Sequence, residues 1–297
     1  MNDQKVYCFG EVLFDVYQAE ELPGGAPMNV ALHLLRHGKE SRLISKIGDD
    51  KHGAELIAFI QERGGLTDLV QKSTVYDTGT VNVKISHRGN ASYIINEPVA
   101  WDFIDFDPSL KDKVKPNDLL VYGSLAVRNQ HSFETLINLL DLDIEKVFDL
   151  NLREPHYTYS KIEQLIEKAD ILKINEDETN LLKAKYTPDL EDLESFTAFL
   201  LRRFKLKGVL VTLGEYGALA NFDSHIYKVK GVKVKVKDTV GSGDSFLAAF
   251  ISKYIEGVDI EECLLFGCAT GAFVATCLGA NPEYQVSDIY KLLKQNR

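Results

Sequence analysis

Residues 238–244 read Asp-Thr-Val-Gly-Ser-Gly-Asp, and the segment that follows has apolar residues at helical spacing. Phe246, Phe250 and Tyr254 mark the repeat, and Gly257 ends it. The two glycines allow a tight turn in which several backbone N–H groups point the same way. The start of the helix adds the positive end of its dipole. The segment therefore predicts a pocket for an anion such as phosphate, followed directly by a helix.

Asp244 places a carboxylate at the edge of this predicted pocket. Phosphoryl transfer needs donors for the charge on the moving group and an acceptor for the proton of the incoming hydroxyl. The alternative is a tight turn with Asp244 as the N-cap of the helix. The segment is not a Walker A loop, because no Gly-Lys-Ser/Thr follows. It is not a dinucleotide fingerprint, because it lacks a third glycine and an early position in the chain.

Composition limits the classes of function. The chain has 297 residues, 45% of them hydrophobic, which is enough for one large α/β domain or for one and a half domains. Its net charge of −10 argues against a nucleic acid or an anionic membrane as the main partner. No apolar run reaches the roughly 18 residues of a transmembrane helix, so no such helix is expected. Charged residues before the first strand also lead us to expect no signal peptide. The four cysteines, three of them in one apolar helical stretch, have no Cys-x-x-Cys spacing, which predicts buried free thiols and a cytoplasmic location.

Short apolar runs alternate with helical patterns along the chain. This alternation predicts a mainly parallel sheet covered by helices on both faces. The predicted strands are 6–9, 43–47, 119–122, 146–150, 171–174 and 209–213, and the predicted early helices are 27–36 and 54–62.

Residues 80–96 break that rhythm. Val81, Val83 and Ile85 alternate with polar residues, the segment 88–90 reads as a turn, and a return strand follows. Together with the alternating stretch 12–17, this hairpin predicts a small side sheet. The sheet would be either a lid over a cleft or a peripheral hairpin that only stabilises the fold.

A second glycine-rich helix start lies near the N-terminus, where residues 24–29 read Gly-Gly-Ala-Pro-Met-Asn. Pro27 suits a first helical turn, and the glycines permit a close approach of backbone and ligand. Asn29 would present its amide to that ligand. Alone, this stretch is more typical of a loop and a helix start than of a binding site.

Taken together, these motifs resemble the PfkB-type (ribokinase-like) carbohydrate kinases along nearly the whole chain. The N-terminal signature runs from Gly24 to Gly53, the C-terminal one is the segment 238–244, and residues 175–178 fit the family's Asn-x-x-Glu motif. The resemblance implies a single ribokinase-like domain over residues 1–297. This α/β fold has three layers with a central, mainly parallel sheet, and its small β-sheet lid comes from about 11–18 and 80–100. The stretches 10–15, 100–102 and 149–153 are most similar to fructokinases.

The resemblance also implies roles for individual residues. Asp244 would be the general base, and backbone amides at Gly241, Ser242 and Gly243 would hold the phosphoryl group. Sugar hydroxyls would be bound by Asp15, Gly25, Asn29 and Arg153. ATP would be bound by Lys173, Thr212, Gly214 and Gly217. Mg²⁺ would be organised through water by Asn175 and Glu178, and a monovalent cation such as K⁺ would lie beside Asp238.

The expected function is ATP-dependent phosphorylation of the primary hydroxyl of fructose, with sugar and Mg·ATP as partners and a homodimer formed through the lid. Alternatives within the fold are a ribokinase, a nucleoside kinase or a 2-keto-3-deoxygluconate kinase, whose acid substrate would need a cation such as Arg153 or Arg88. A non-catalytic sugar-responsive regulator is the alternative from another class. Glu283, where relatives often carry a small polar residue, weakens the expectation of cation activation.

Overall fold

A computed structural model describes residues 4–16, 20–85, 91–190 and 192–296, with the backbone alone for 83–85 and 91–93. The strands are β1 (Val6–Phe9), β2 (Leu13–Val16), β3 (Glu21–Gly24), β4 (Ser41–Gly48), β5 (Val70–Ser73), β6 (Gly79–Ile85), β7 (Ala91–Ile95), β8 (Leu119–Gly123), β9 (Glu145–Asp149), β10 (Ile171–Asn175), β11 (Gly208–Thr212), β12 (Ala218–Phe222) and β13 (His225–Val229). The helices are α1 (Ala26–Arg36), α2 (Lys51–Glu62), α3 (Leu110–Lys113), α4 (Gln130–Leu140), α5 (Tyr159–Glu167), α6 (Glu176–Tyr186), α7 (Leu193–Phe204), α8 (Ser242–Ile255), α9 (Ile260–Ala275) and α10 (Val286–Gln295).

A nine-stranded sheet forms the middle layer, in the order β13-β12-β11-β10-β9-β8-β1-β4-β5. Its strands pair in parallel from β11 to β5, and only β12 and β13 add antiparallel pairs at one edge. Successive side chains of β1 enter different cores, with Tyr7 and Phe9 on one face and Val6 and Cys8 on the other. Burial on both faces explains why these strands are apolar without interruption.

Helices cover both faces and complete three layers. One core contains residues of α4, α5, α6 and α7, and the other contains residues of α1, α2, α8 and α9. This arrangement directs the carboxyl ends of the parallel strands toward one edge of the sheet, where ligands bind in open α/β folds. The prediction of a three-layer α/β fold with a mainly parallel sheet is confirmed.

The side sheet predicted from residues 12–17 and 80–96 is present as four strands in the order β3-β2-β6-β7. Strand β2 pairs antiparallel with β3 and parallel with β6, and β6 pairs antiparallel with β7. The predicted turn 88–90 and Tyr17 lie outside the described residues. Whether this sheet closes over a ligand stays a prediction.

Several elements carry too weak a sequence pattern to be predicted. Strands β3 and β5 are short and partly polar, and β13 is an edge strand with exposed positions. The thiols are all free, but only Cys8 and Cys263 are buried, so the expectation of burial is wrong for Cys268 and Cys277. Among the described residues no helix is both long and apolar enough to cross a membrane.

Candidate active site

Helix α8 begins at a glycine that no other residue can replace without strain. Gly241 is the N-cap with φ 76°, and a Cβ there would lie 2.6 Å from the Cα of Ala280. Asp244 lies in the first turn and does not cap the helix, so the interpretation of Asp244 as an N-cap is wrong. Its carboxylate is therefore available for another partner.

The first turn of α8 leaves donors and space on one side. The N–H of Ser242 donates to the carbonyl of Thr239 over 3.2 Å, whereas the N–H groups of Gly243 and Asp244 have no acceptor within the described chain. A Cβ added at Gly243 would meet only the Nζ of Lys173, at 3.6 Å. Free N–H groups at a helix start with open space in front suit an anion.

Asp244 is held from a different helix. The Nδ2 of Asn29, in the first turns of α1, donates to Oδ2 of Asp244 over 2.7 Å. Burial and the neighbouring carboxylate of Asp149 raise the pKa of Asp244 to about 6, against the opposing effects of Asn29 and Lys173. A carboxylate with this pKa is ionised at neutral pH yet basic enough to take a proton. The two glycine-rich helix starts therefore meet at one carboxyl group.

A buried ion pair lies next to this pocket. Lys173 on β10 donates from Nζ to Oδ1 of Asp149 on β9 over 2.7 Å, and both side chains are almost fully buried. Lys173, predicted to bind ATP, thus lies beside Gly243 with a carboxylate partner. Sequence reasoning did not select Asp149 as a site residue. Its position at the carboxyl end of a strand, next to the Lys173 strand, was the signal that could have found it.

Asp15, Asn29 and Arg153, which are predicted to bind the sugar, lie near Asp244. The φ of Gly25 is 114°, and a Cβ there would lie 2.4 Å from the carbonyl oxygen of Glu11, so only glycine fits at this position. Asp15 is half-buried, and burial raises its pKa to about 6. Exposed Arg153 lies near enough to lower the pKa values of Asp15, Glu11 and Asp244.

Glu11 is a further residue that sequence reasoning did not select. It is 3% exposed, its Oε1 accepts the N–H of Ala26 over 3.3 Å, and its Oε2 has no partner in the described chain. Burial raises its pKa to about 7. Only the tertiary structure shows that this carboxylate faces the start of α1.

Asn175 and Glu178 form a reciprocal cap at the start of α6. Oδ1 of Asn175 accepts the N–H of Glu178 over 2.9 Å, and Oε2 of Glu178 accepts the N–H of Asn175 over 2.9 Å. Oε1 of Glu178 accepts the N–H of Leu152 over 2.8 Å. Both carboxylate oxygens thus already accept backbone donors, which fits contact with a hydrated cation better than direct ligation. No cluster of three or more His, Cys, Asp or Glu suited to a metal occurs among the described residues.

The predicted nucleotide-side residues follow β11. Thr212 pairs in register with Asn175, and a short 3₁₀ turn, Gly214–Tyr216, follows it. Gly217 has φ 108°, and a Cβ there would lie 2.0 Å from the carbonyl oxygen of Val229. Thr212 thus lies at the same sheet edge as Asn175.

Asp238 shapes the loop before α8. Its Oδ1 accepts the N–H of Val240 and its Oδ2 accepts the N–H of Gly279, each over 3.0 Å. Glu283 points to Arg36, whose Nη2 donates to it over 3.1 Å. The side chain of Glu283 is thus engaged by α1, and it is mostly exposed.

The stretch 100–102 joins the side sheet to the body. Arg128 is almost fully buried, donates from Nε to Asp102 over 2.7 Å and from Nη2 to the carbonyl of Asn96 over 2.6 Å, and stacks on Trp101. Because Asn96 directly follows β7, this ion pair fixes where the side sheet leaves the body. It has a structural role and makes no contact with Asp244.

The structure is an α/β protein in which a helix start with free N–H groups and a buried carboxyl group of raised pKa lie together. The chain matches the pfkB family carbohydrate kinase model over residues 1–285 and belongs to that family. It is 29% identical to "Probable fructokinase-5" of Arabidopsis thaliana, over 99% of this chain and 98% of that protein.

Solved structures share the fold over the whole chain. The fructokinase from Xylella fastidiosa with bound ATP has a TM-score of 0.86 at 21% identity, and the alignment covers 99% of each chain. The fructokinase from Vibrio cholerae O395, bound to fructose, ADP and calcium ion, has a TM-score of 0.83 at 23% identity, over 99% of this chain and 100% of that one. The predicted family is confirmed.

Proposed function

We propose that the protein transfers the γ-phosphoryl group of ATP to the primary hydroxyl of fructose. The observation that carries the proposal is the position of Asp244. Its carboxylate lies in the open first turn of α8 and is held by Asn29 from α1, the helix that begins at the sugar-side glycines. The proposed base, the free N–H groups of α8 and Asn29, a proposed sugar-binding residue, are therefore neighbours, which supports the proposal.

The residues divide the reaction between them. Asp15, Gly25, Asn29 and Arg153 would hold the sugar so that its primary hydroxyl points to Asp244. Asp244 accepts the hydroxyl proton, the hydroxyl oxygen bonds to the γ-phosphorus, and the bond to the β,γ-bridging oxygen breaks, so that ADP leaves. Backbone N–H groups in the segment 241–244 would receive the charge on the transferring group.

The charges of the cleft favour a neutral sugar. Burial raises the pKa values of Glu11, Asp15 and Asp244, and Arg153 lowers all three. A substrate carboxylate would add negative charge beside these groups and would compete with them for Arg153. This supports fructose over 2-keto-3-deoxygluconate. The fructokinase relatives support it independently.

Mg²⁺ would reach the site with ATP. When bound, it would neutralise phosphate charge, and Asn175 and Glu178 would meet it through water, since their own oxygens are engaged by the backbone. Asp238 and the carbonyls near Val240 and Gly279 are the candidates for a monovalent cation. We further propose that side sheets of two copies pair as a dimer, and that the free cysteines fit the reducing cytoplasm.

A panel assay tests the function. ADP release with Mg·ATP is measured for fructose, ribose, adenosine and 2-keto-3-deoxygluconate. We expect the largest kcat/KM for fructose. A substrate that lacks one of its hydroxyls would leave a buried polar group of the protein without a hydrogen-bond partner. A larger value for ribose or the keto acid would contradict fructose as substrate. Tight sugar binding without any ADP release would instead identify a regulator.

Matched variants sharpen the assay. Asp15→Ala should lower kcat/KM for fructose while leaving the Kd for ATP unchanged. The control is Asp143→Asn, which should match the wild type. Asp143 is exposed and lies just before the amino end of β9, whereas the candidate site lies at the carboxyl ends of the strands. Equal losses for fructose and ATP in Asp15→Ala would show that Asp15 does not bind sugar.

A further inference from the structure

Three side chains from three segments form a line of hydrogen bonds that ends at Asp244. The Nδ2 of Asn281, in the loop between α9 and α10, donates to Oδ1 of Asn29 over 2.6 Å. The Nδ2 of Asn29 then donates to Oδ2 of Asp244 over 2.7 Å. Asn281 does not touch Asp244 itself, so any effect of Asn281 on Asp244 passes through Asn29.

The direction of these bonds follows from the chemistry of the amide. A primary amide carries an acceptor oxygen and a donor nitrogen, and a half-turn exchanges them. An ionised carboxylate only accepts. If Asn29 turned, its oxygen would face the ionised Asp244 and repel it. Asn281 opposes that turn because its own donor occupies Oδ1 of Asn29.

The loop that carries Asn281 is fixed from several sides. Buried His33 bonds through Nε2 to the carbonyl of Ala280 over 2.9 Å, and the N–H of Gly279 donates to Asp238 over 3.0 Å. Ala280 also packs against Gly241. The backbone of Asn281 therefore has little freedom, and its side chain is the part that can turn.

The amide oxygen of Asn281 points to a second arrangement. Its Oδ1 is buried and has no partner in the described chain. If both amides turned together, Nδ2 of Asn29 would donate to this oxygen, and Oδ1 of Asn29 would accept a proton held on Asp244. The hydrogen bonds can therefore run in either direction. The present direction suits the ionised carboxylate of Asp244, and the reversed one suits its protonated form.

We propose that Asn281 is a positioning residue that, through Asn29, holds Asp244 ready to accept the substrate proton and turns with Asn29 once that proton has been transferred. This rests on the proposed function. The proton moves from the sugar hydroxyl to Oδ2 of Asp244, and it leaves to water after the phosphorylated sugar departs.

The electrostatic surroundings give the size of the expected effect. Asp149, Glu11 and Asp15 face Asp244 with carboxylates, and Lys173 and Arg153 face it with cations. Among these influences, the bond from Asn29 is one that lowers the pKa of Asp244. A hydrogen bond to a charged group corresponds to about one pKa unit. Loss of the orientation of Asn29 should raise the pKa of Asp244 by about that amount.

The test measures the titration of Asp244 directly. Protein labelled with ¹³C at the Asp carboxyl carbons is titrated by NMR, and the Asp244 resonance is identified by its absence in Asp244→Asn. We expect a midpoint near 6 in the wild type, about one pH unit higher in Asn281→Ala, and unchanged in Asn138→Ala, whose amide only bonds a carbonyl on the surface of α4. An unchanged midpoint in folded Asn281→Ala overturns the proposal.

A double-mutant cycle separates the effect of the Asn29 orientation from the effect of a charge at position 281. Asn281→Asp can only accept when ionised, so it should turn Asn29 over and raise the midpoint beyond that of Asn281→Ala. The same substitution in an Asn29→Ala background carries the charge without the amide and should move the midpoint less. Equal changes in both backgrounds overturn the proposal. If Asn281→Ala does not fold, Asn281→Ser, which keeps a hydroxyl donor, takes its place. Asn281→Ser should move the midpoint less than Asn281→Asp does. A midpoint equal to that of Asn281→Asp overturns the proposal.

Kinetics supply a readout that distinguishes the two proposals. In Asn281→Ala, kcat at pH 6 should fall several-fold while kcat at pH 8.5 and the KM for ATP stay near wild type. A wild-type protein that phosphorylates no sugar refutes the proposed function but leaves the NMR midpoints to decide the role of Asn281. An active wild type whose Asn281→Ala variant keeps the same pH profile refutes the role of Asn281 alone.

Discussion

Helices α1 and α8 both begin at a glycine with positive φ, and neither is capped by a side chain of its N-cap residue. They differ in what meets their first turn. At α1, the carboxylate of Glu11 accepts the N–H of Ala26, and Pro27 has no N–H to offer. At α8, no side chain in the described chain takes that place. The N–H groups of Gly243 and Asp244 have no acceptor among the described residues, and a Cβ built at Gly243 would meet only the Nζ of Lys173. The same kind of helix start is thus occupied by a carboxylate of the protein at α1 and left free for a bound anion at α8.

The largest expected effect comes from the carboxylate at the open helix start. Asp244→Asn should lower kcat by about 10²–10⁴, because a general base is lost, while the Kd for ATP and the Tm stay close to wild type. Turnover by coupled ADP release and binding by calorimetry check this. A variant with near-normal kcat would break the comparison, since the open start would then carry no chemistry.

A pair of glycine variants separates space from strain at α8. Gly243→Ala should leave the Tm unchanged and lower kcat/KM for ATP at least about tenfold, since its methyl group would fill the anion pocket. Gly241→Ala should lower the Tm by several degrees, because φ 76° and the backbone of Ala280 at 2.6 Å both oppose a side chain. Thermal melts and kinetics on both proteins measure this. The comparison fails if Gly243→Ala is the less stable of the two.

The contact between α1 and the loop that carries Asn281 should weaken in acid. Burial lowers the pKa of His33 to about 3 and that of His37 to about 4. Both are neutral in the folded state, whereas the unfolded chain takes up protons below about 6.5, so stability is lost as pH falls from 6.5 toward 4. A pKa that differs by one between the folded and unfolded states corresponds to about 1.4 kcal/mol of stability. Urea midpoints at pH 7 and 5 should differ less for His33→Gln than for the wild type, and an equal difference would contradict this.

The last effect is expected at the closed helix start, and its dependence on pH has the opposite sign. Burial raises the pKa of Glu11 from 4.5 to about 7. The folded state therefore binds its proton more tightly, and stability is lost as pH rises from 4.5 through 7. Glu11→Gln keeps an oxygen for the N–H of Ala26 without the charge. The variant should lie close to the wild type at pH 5 and exceed it at pH 8 by on the order of 3 kcal/mol in the free energy of unfolding. A variant less stable at pH 8 would mean that α1 needs the charge.

The sequence alone determined the layered α/β fold, the side sheet and the two glycine-rich helix starts, because strand runs, helical spacing and turn glycines are local signals. It also placed Asp244 in the first turn of a helix after a tight turn. The tertiary structure decided which helix start is open and which is closed. It also decided that Asp149 pairs with Lys173, that Glu11 reaches Ala26, and that Asn281 reaches Asp244 through Asn29. Asn281 lies 252 positions from Asn29, and no local pattern encodes a contact that depends on how α1, α8 and a distant loop pack together.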